Sequence, residues 1–243
     1  MKPKGKIVII GGAEDKGDDG STRKEKIYEW YEEFEILKEL LPIQRSSNKK
    51  IEIITTASKV QDEIKTVYKK AFHKLGYSNI GFMAINDKIE AKEKKNIDRV
   101  QKASTILFSG GDQFRLSTIL GGTKLMDIIK EKYFTDGNFI VAGTSAGAMA
   151  ISKTMITEGG VSEVLVDTDI KTSAGLGFLE YCIVDTHFIK RGRFSRLAHA
   201  IIINPGQLGI GLGEDAALVI RNGEDAECYG SGMIVLIDGK YIE

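Results

Sequence analysis

The sequence predicts an α/β domain built on a mainly parallel sheet with helices on both faces, with antiparallel strands added toward the C-terminus. Two observations carry this. Short β-branched runs alternate with amphipathic segments through about residue 176, and such alternation implies parallel pairing. Beyond that point short strands follow one another with tight turns between them. The 243 residues, 42% hydrophobic and 28% charged, suit one large domain with a substantial core, so residues 1–243 are read as a single unit.

The elements follow in order. KIVII (6–10) ends in Gly11-Gly12 and reads as a buried strand. EKIYEWYEEFEILKELL (25–41) has apolar residues three and four apart before Pro42, the pattern of an amphipathic helix. The loop RSSNKK leads to the strand IEIITT (51–56), and DEIKTVYKKAFHKLG (62–76) is a helix closed by Gly76. IGFMAI (80–85) is a strand and the lysine-rich stretch 90–102 an exposed helix. STILFSGG (104–111) is a strand, TKLMDIIKEKYF (123–134) a helix and NFIVAG (138–143) a strand. YCIVDTHF (181–188) reads as a strand and RFSRLAHAIII (193–203) as a helix ended by Asn204-Pro205. LGIGL, AALVIR and MIVLIDGKYIE are short strands, with Asp238-Gly239 expected as a hairpin turn.

Charge and composition exclude some classes. The 34 basic and 34 acidic residues cancel, so no global field favours nucleic acid or an anionic membrane. There is no apolar stretch of about 18 residues, the length of a membrane-spanning helix. The apolar run near the start is too short for a signal peptide. The two cysteines, Cys182 and Cys228, stand in no metal-ligand spacing and suit a reduced cytoplasm. No metal or other cofactor is expected. Gly12-Ala13-Glu14-Asp15-Lys16-Gly17 has the look of a phosphate loop, but Asp18 and Asp19 follow where Lys and Ser/Thr are needed. Nucleotide binding there is rejected.

The informative stretch is VAGTSAGAMAI (141–151). An apolar strand, a tight Gly143-Thr144-Ser145-Ala146-Gly147 turn and a small-residue helix make the geometry of a nucleophile elbow. The same residues fit a plain strand–helix turn with a capping serine. The apolar run before it and the helical run after it favour the elbow, with Ser145 as nucleophile.

A serine needs a base. There are three histidines. His73 falls among lysines on a helix, and His199 sits in a helix whose apolar side packs. His187 falls where a strand ends and is preferred. The third member is then a carboxylate, sought between Ser145 and His187 on the rule that the histidine of an elbow enzyme comes last. Glu158, Glu163, Asp167, Asp169, Glu180 and Asp185 are candidates that spacing does not separate. Gly110-Gly111 ends a second strand, and its N–H groups are expected to share an oxyanion with Ala146. Gln113 would face the same cleft. Arg191, Arg193 and Arg196, after the base and near Asp185, suit a substrate rich in carboxylates.

With these residues assembled, the chain resembles the cyanophycinases, in the serine peptidase family that also holds the aspartyl dipeptidases. IVIIGGAEDK, FSGGDQ, GTSAGA, TMITEGG, DTHFIKRGRFSRL, GIGLGEDAAL and MIVLIDG carry the resemblance over nearly the whole chain. The resemblance implies a three-layer fold similar to class I glutamine amidotransferases, with Ser145 as nucleophile and His187 as base. It implies that the acid lies after the TEGG turn, at Glu163, with Glu158 the nearby competitor. It implies a substrate cleft lined by Gln113, Asp185, Arg191, Arg193 and Arg196, beside the oxyanion hole expected at Gly111 and Ala146. The implied substrate is cyanophycin or an Asp-containing peptide, and the implied assembly a homodimer. One departure stands out: Thr186 occupies the position where the pattern has Gln.

Overall fold

The computed structural model describes residues 2–17, 32–42, 49–159 and 170–240. Five parallel strands form the centre: β1 (Lys6–Ile10), β2 (Ile51–Ile54), β3 (Ile80–Met83), β4 (Thr105–Phe108) and β5 (Ile140–Thr144). Two more strands extend the sheet, β10 (Ala217–Arg221) antiparallel to β1 and β11 (Asp225–Tyr229) antiparallel to β10, in the order β11-β10-β1-β5-β4-β2-β3.

Strand alternation sends side chains to two cores. Ile7, Ile9, Ile106, Phe108 and Val141 face one side. There they meet α3 (Lys94–Lys102), α5 (Lys124–Thr135) and α6 (Ala146–Ile151) through Val100, Leu125, Ile129 and Ala148. Val8, Ile10, Ile53, Leu107 and Ala142 face the other side. Their partners there are α1 (Glu35–Lys38) and α2 (Gln61–Lys74), through Leu37, Tyr68 and Phe72. The strands are apolar on both faces because both faces are covered.

Two smaller sheets complete the chain. β6 (Thr154–Glu158) pairs antiparallel with β7 (Lys171–Ala174). In the other sheet β8 (Cys182–Thr186) runs parallel to β9 (Leu208–Leu212), and β12 (Ile234–Asp238) pairs antiparallel with β9. Helix α7 (Phe194–Ile202) packs Leu197, Ala200 and Ile201 against this sheet. So the C-terminal strands divide between an extension of the main sheet and a sheet of their own. Between β4 and α5 lies α4 (Gln113–Leu120), capped by the Asp112 side chain.

Three expectations differ in detail. The lysine-rich stretch is a 3-10 turn (Glu90–Lys92) and α3, split at Glu93, whose extended backbone interrupts the helix. Helix 25–41 is seen only as α1, with Glu32 to Phe34 non-helical and its first residues outside the described set. The C-terminal turn chemistry lies at Asn222-Gly223, where both φ angles are positive and β10 turns into β11. β12 instead pairs back with β9 before Asp238-Gly239, and residues 241–243 lie outside the described set. Among the described residues no helix is long and apolar enough to cross a membrane.

Phe108 is fully buried, with its ring centroid 6.5 Å from that of Phe178. Replacing it with alanine is expected to cost about 3–5 kcal/mol, the usual range for removing a buried aromatic ring. Urea unfolding followed by circular dichroism measures this, and a change below 1 kcal/mol would contradict the packing described.

Candidate active site

The site lies beyond the carboxyl ends of the parallel strands, where ligands bind in open α/β sheets. β5 ends at Thr144, and Ser145 then takes φ 52° and ψ −119° before α6 begins. This strained backbone is the elbow. The glycines around it are sterically required. A Cβ on Gly143 would lie 2.5 Å from the Gly147 carbonyl, and one on Gly147 would lie 2.1 Å from the Phe108 oxygen. Strand, turn and helix therefore close at van der Waals contact, which holds the Ser145 side chain out over the sheet edge.

His187 follows β8 directly and has φ 50°. Its Nε2 lies 2.9 Å from Ser145 Oγ. Its Nδ1 lies 2.9 Å from Glu214 Oε1. With Glu214 ionised, Nδ1 carries the proton and donates it, which leaves Nε2 to accept from the serine hydroxyl. Burial alone would raise the Glu214 pKa. Hydrogen bonds from His187 and from Lys190, whose Nζ lies 3.1 Å from Oε2, outweigh it and bring the pKa below the ordinary carboxylate value.

Glu214 therefore occupies the place in which an acid between Ser145 and His187 was sought. The chain order is serine, histidine, glutamate. The reason is the parallel pairing of β8 with β9, which sets Thr186 opposite Leu212. Both strands end together, so Glu214 emerges beside His187. Glu158 is exposed and paired with Lys171 at 2.5 Å. Glu163 lies outside the described residues. The signal for Glu214 was present in GIGLGEDAAL, as an acid just past a short strand.

Around Ser145, Gly110 and Gly111 line the same cavity, and a Cβ on Gly110 would lie 3.3 Å from Ser145 Cβ. Ala146 opens α6, so its N–H is one that a helix start leaves without an intrahelical partner. The cavity holds about 410 Å³ and is bounded on its other side by residues of the 12–16 segment and of α2.

The remaining expected cleft residues are arranged otherwise. Gln113 donates from Nε2 to the Ile156 carbonyl at 2.9 Å, tying α4 to β6. Asp185 is fully buried. Arg196, also buried, grips it from two nitrogens, with Nε at 2.8 Å from Oδ2. Arg193 adds Nη1 at 3.1 Å from Asp185 Oδ1 and at 2.8 Å from the Thr186 carbonyl. A carboxylate at zero exposure has to be paired, and these guanidiniums do so. Asp185, Arg193 and Arg196 thus form an internal cluster under the His187 turn, and Arg191 alone of the three arginines is exposed. Thr186 is buried as well, its hydroxyl without a partner among the described residues. His199 is buried in α7 and His73 lies on α2, away from Ser145.

Comparison with known proteins finds related peptidases. The family model described as peptidase family S51 matches residues 26–227. A cyanophycinase of Geminocystis herdmanii is 32% identical over 96% of this chain and 80% of its own length. A cyanophycinase of Synechococcus elongatus is 30% identical over 98% of this chain and 69% of its own length. Among solved structures, a peptidase from an acI-B1 Actinobacterium superposes with a TM-score of 0.71 at 25% identity, covering 99% of this chain and 93% of that one.

Two outcomes are expected. Arg196→Ala leaves the buried Asp185 carboxylate short of its main partner and should destabilise the fold by about 3–5 kcal/mol, read from the urea midpoint. Because the pKa of Glu214 is lowered in the folded state, its contribution to stability is complete above about pH 4.5 and is lost as pH falls through the lowered value. Glu214→Gln should flatten that part of the acid limb in unfolding free energy measured against pH. An unchanged acid limb would contradict the pairing.

Proposed function

Because this chain belongs to peptidase family S51, and is a serine-type peptidase by that membership, we propose that it hydrolyses cyanophycin to β-Asp-Arg dipeptides with Ser145, His187 and Glu214 as its triad. The observation that carries the triad is the pair of 2.9 Å contacts that link the three side chains in series at a strained elbow. The substrate reading is supported by the cyanophycinase relatives and by the motif D-x-H-F-x-x-R-G-R-x-x-R-L.

Cyanophycin is a polyaspartate whose side chains each carry arginine in isopeptide linkage. Release of β-Asp-Arg keeps that isopeptide bond, so the bond broken is the backbone amide between aspartates. Ser145 Oγ attacks its carbonyl carbon while His187 Nε2 takes the hydroxyl proton. Glu214 holds the imidazole in the accepting tautomer and stabilises the imidazolium. The N–H groups of Gly111 and Ala146 receive the oxyanion. His187 then passes its proton to the leaving amine, and water repeats the sequence on the acyl-enzyme. The cysteine pattern and the family resemblance support a cytoplasmic homodimer.

Purified protein incubated with cyanophycin should release β-Asp-Arg, identified by mass spectrometry. Ser145→Ala should abolish release while leaving the fold. Glu214→Gln should lower kcat by about 10²–10⁴-fold, because the imidazole loses its tautomer. Glu163→Gln should not lower it, which separates the two acids. A clear preference for a simple Asp-X dipeptide over the polymer would move the assignment to an aspartyl dipeptidase with the same machinery.

A further inference from the structure

The wall of the catalytic cavity opposite Gly110 carries charges that the triad does not use. Among its described lining residues, Lys16 is the one Lys or Arg, and Glu14 and Glu63 are the acids. Their situations differ. Glu14 is 1% exposed, and its carboxylate is spent inside the protein. Thr144 Oγ1 donates to Oε2 at 2.9 Å and the Tyr68 hydroxyl donates to Oε1. Lys16 Nζ lies 3.1 Å from the same Oε1 and 5.2 Å from the centre of the Tyr68 ring. Glu14 and Tyr68 therefore seat the ammonium, while its side chain stays 19% exposed toward the cavity. Glu63 stands on the first turn of α2, exposed, with no hydrogen bond or ion pair among the described residues.

We propose that Lys16 and Glu63 form the ionic subsite that selects the substrate, Lys16 receiving a carboxylate and Glu63 a guanidinium. This rests on the cyanophycin reading. In that polymer each arginine is joined through its α-amine, so each repeat presents one free carboxylate and one guanidinium. An ammonium seated in the nucleophile's cavity and an unpaired acid on the same wall match that pair. Glu14 is a positioning residue in this arrangement: it acts on substrate through Lys16. The expected cluster of Asp185, Arg193 and Arg196 does not offer such a subsite, since its charges are turned on one another.

The test uses β-Asp-Arg and its arginine carboxamide as competitive inhibitors of cyanophycin hydrolysis. The carboxamide differs only in lacking the carboxylate charge. Wild-type protein should bind the acid about ten times more tightly than the amide, as for one well-formed charge-assisted contact. Lys16→Met should erase that ratio. The ratio is taken within one variant, so a general loss of stability does not produce it. Since Lys16→Met also leaves buried Glu14 without its cation, a second variant at an exposed site is needed. Glu63→Gln should raise the KM for cyanophycin about threefold to tenfold, as expected for a partly exposed ion pair. Its acid-to-amide ratio should stay as in the wild type. Retention of the full acid-to-amide preference in Lys16→Met, or an unchanged KM in Glu63→Gln, overturns the subsite while leaving the cyanophycinase reading intact. If wild-type protein is labelled at Ser145 by a fluorophosphonate yet does not cleave cyanophycin, the substrate reading falls and the subsite falls with it.

Discussion

Three successive carbonyls at the end of β1 hold the catalytic elements together. Ile10, Gly11 and Gly12 accept the N–H groups of Ser145, His187 and Asp215, each at 2.9 Å. Those three residues are the proposed nucleophile, the proposed base and the neighbour of the proposed acid. They arrive from β5 of the main sheet and from the paired strands β8 and β9 of the smaller one. All three have positive φ, at 52°, 50° and 51°. A non-glycine residue in that region is strained and persists where its surroundings over-determine it. A backbone hydrogen bond from the same short segment supplies part of that determination in each case. The backbones of Ser145, His187 and Asp215 are thus tied to three consecutive residues, the last of β1 and the two glycines after it.

The same economy explains the buried charges. Asp185 lies beneath the turn that carries His187, and Arg193 bonds both Asp185 and the Thr186 carbonyl. An ion cluster closed on itself costs desolvation energy, and its compensation is in geometry: it fixes the backbone on which the base sits. Asp215 plays the corresponding part under Glu214. Its carboxylate accepts from the Asp15 N–H at 3.1 Å and from Ser231, stitching the 11–17 segment to the loop after β11. The buried acids Asp185 and Asp215 thus brace the backbone, whereas the partly exposed Glu214 contacts the His187 ring.

These arrangements show which parts of the molecule were legible in sequence. The parallel strands were, because burial on both faces writes them as unbroken β-branched runs. The elbow was, because close contact between strand and helix admits only glycine at 143 and 147. His187 was reachable by elimination among three histidines. Glu214 was not, for a topological reason. Its position depends on β8 and β9 lying side by side and parallel, and no local pattern in LGIGL announces its neighbour or its direction. The search between serine and histidine followed chain order, whereas the site follows strand order. The pairing of Arg193 and Arg196 with Asp185 was not legible for an energetic reason: sequence shows charges near one another but not whether burial has already paired them. The 12–17 segment was set aside as a failed phosphate loop on sound electrostatic grounds, and those grounds do not touch its place as a cavity wall.

That wall and the triad's template are one stretch of chain, and this couples selectivity to catalysis. Gly12 gives its carbonyl to Asp215 and also lies flat against the His187 ring, where a Cβ would come within 2.5 Å of the imidazole. Two residues on, Glu14 reaches Thr144, the residue before the nucleophile, at 2.9 Å. Its pKa is held below the ordinary value although burial opposes ionisation, because Lys16 and the hydrogen bonds from Tyr68 and Thr144 prevail. The carboxylate is then a fixed anion between the cation facing the cavity and the backbone of the elbow. A change in charge at Lys16 acts on Glu14 through a contact of 3.1 Å, and Glu14 bears directly on the turn that aims Ser145. With the proposed subsite, binding and reaction geometry share a single buried group, so substitutions in the 12–16 segment are expected to alter both together, and those at exposed Glu63 binding alone.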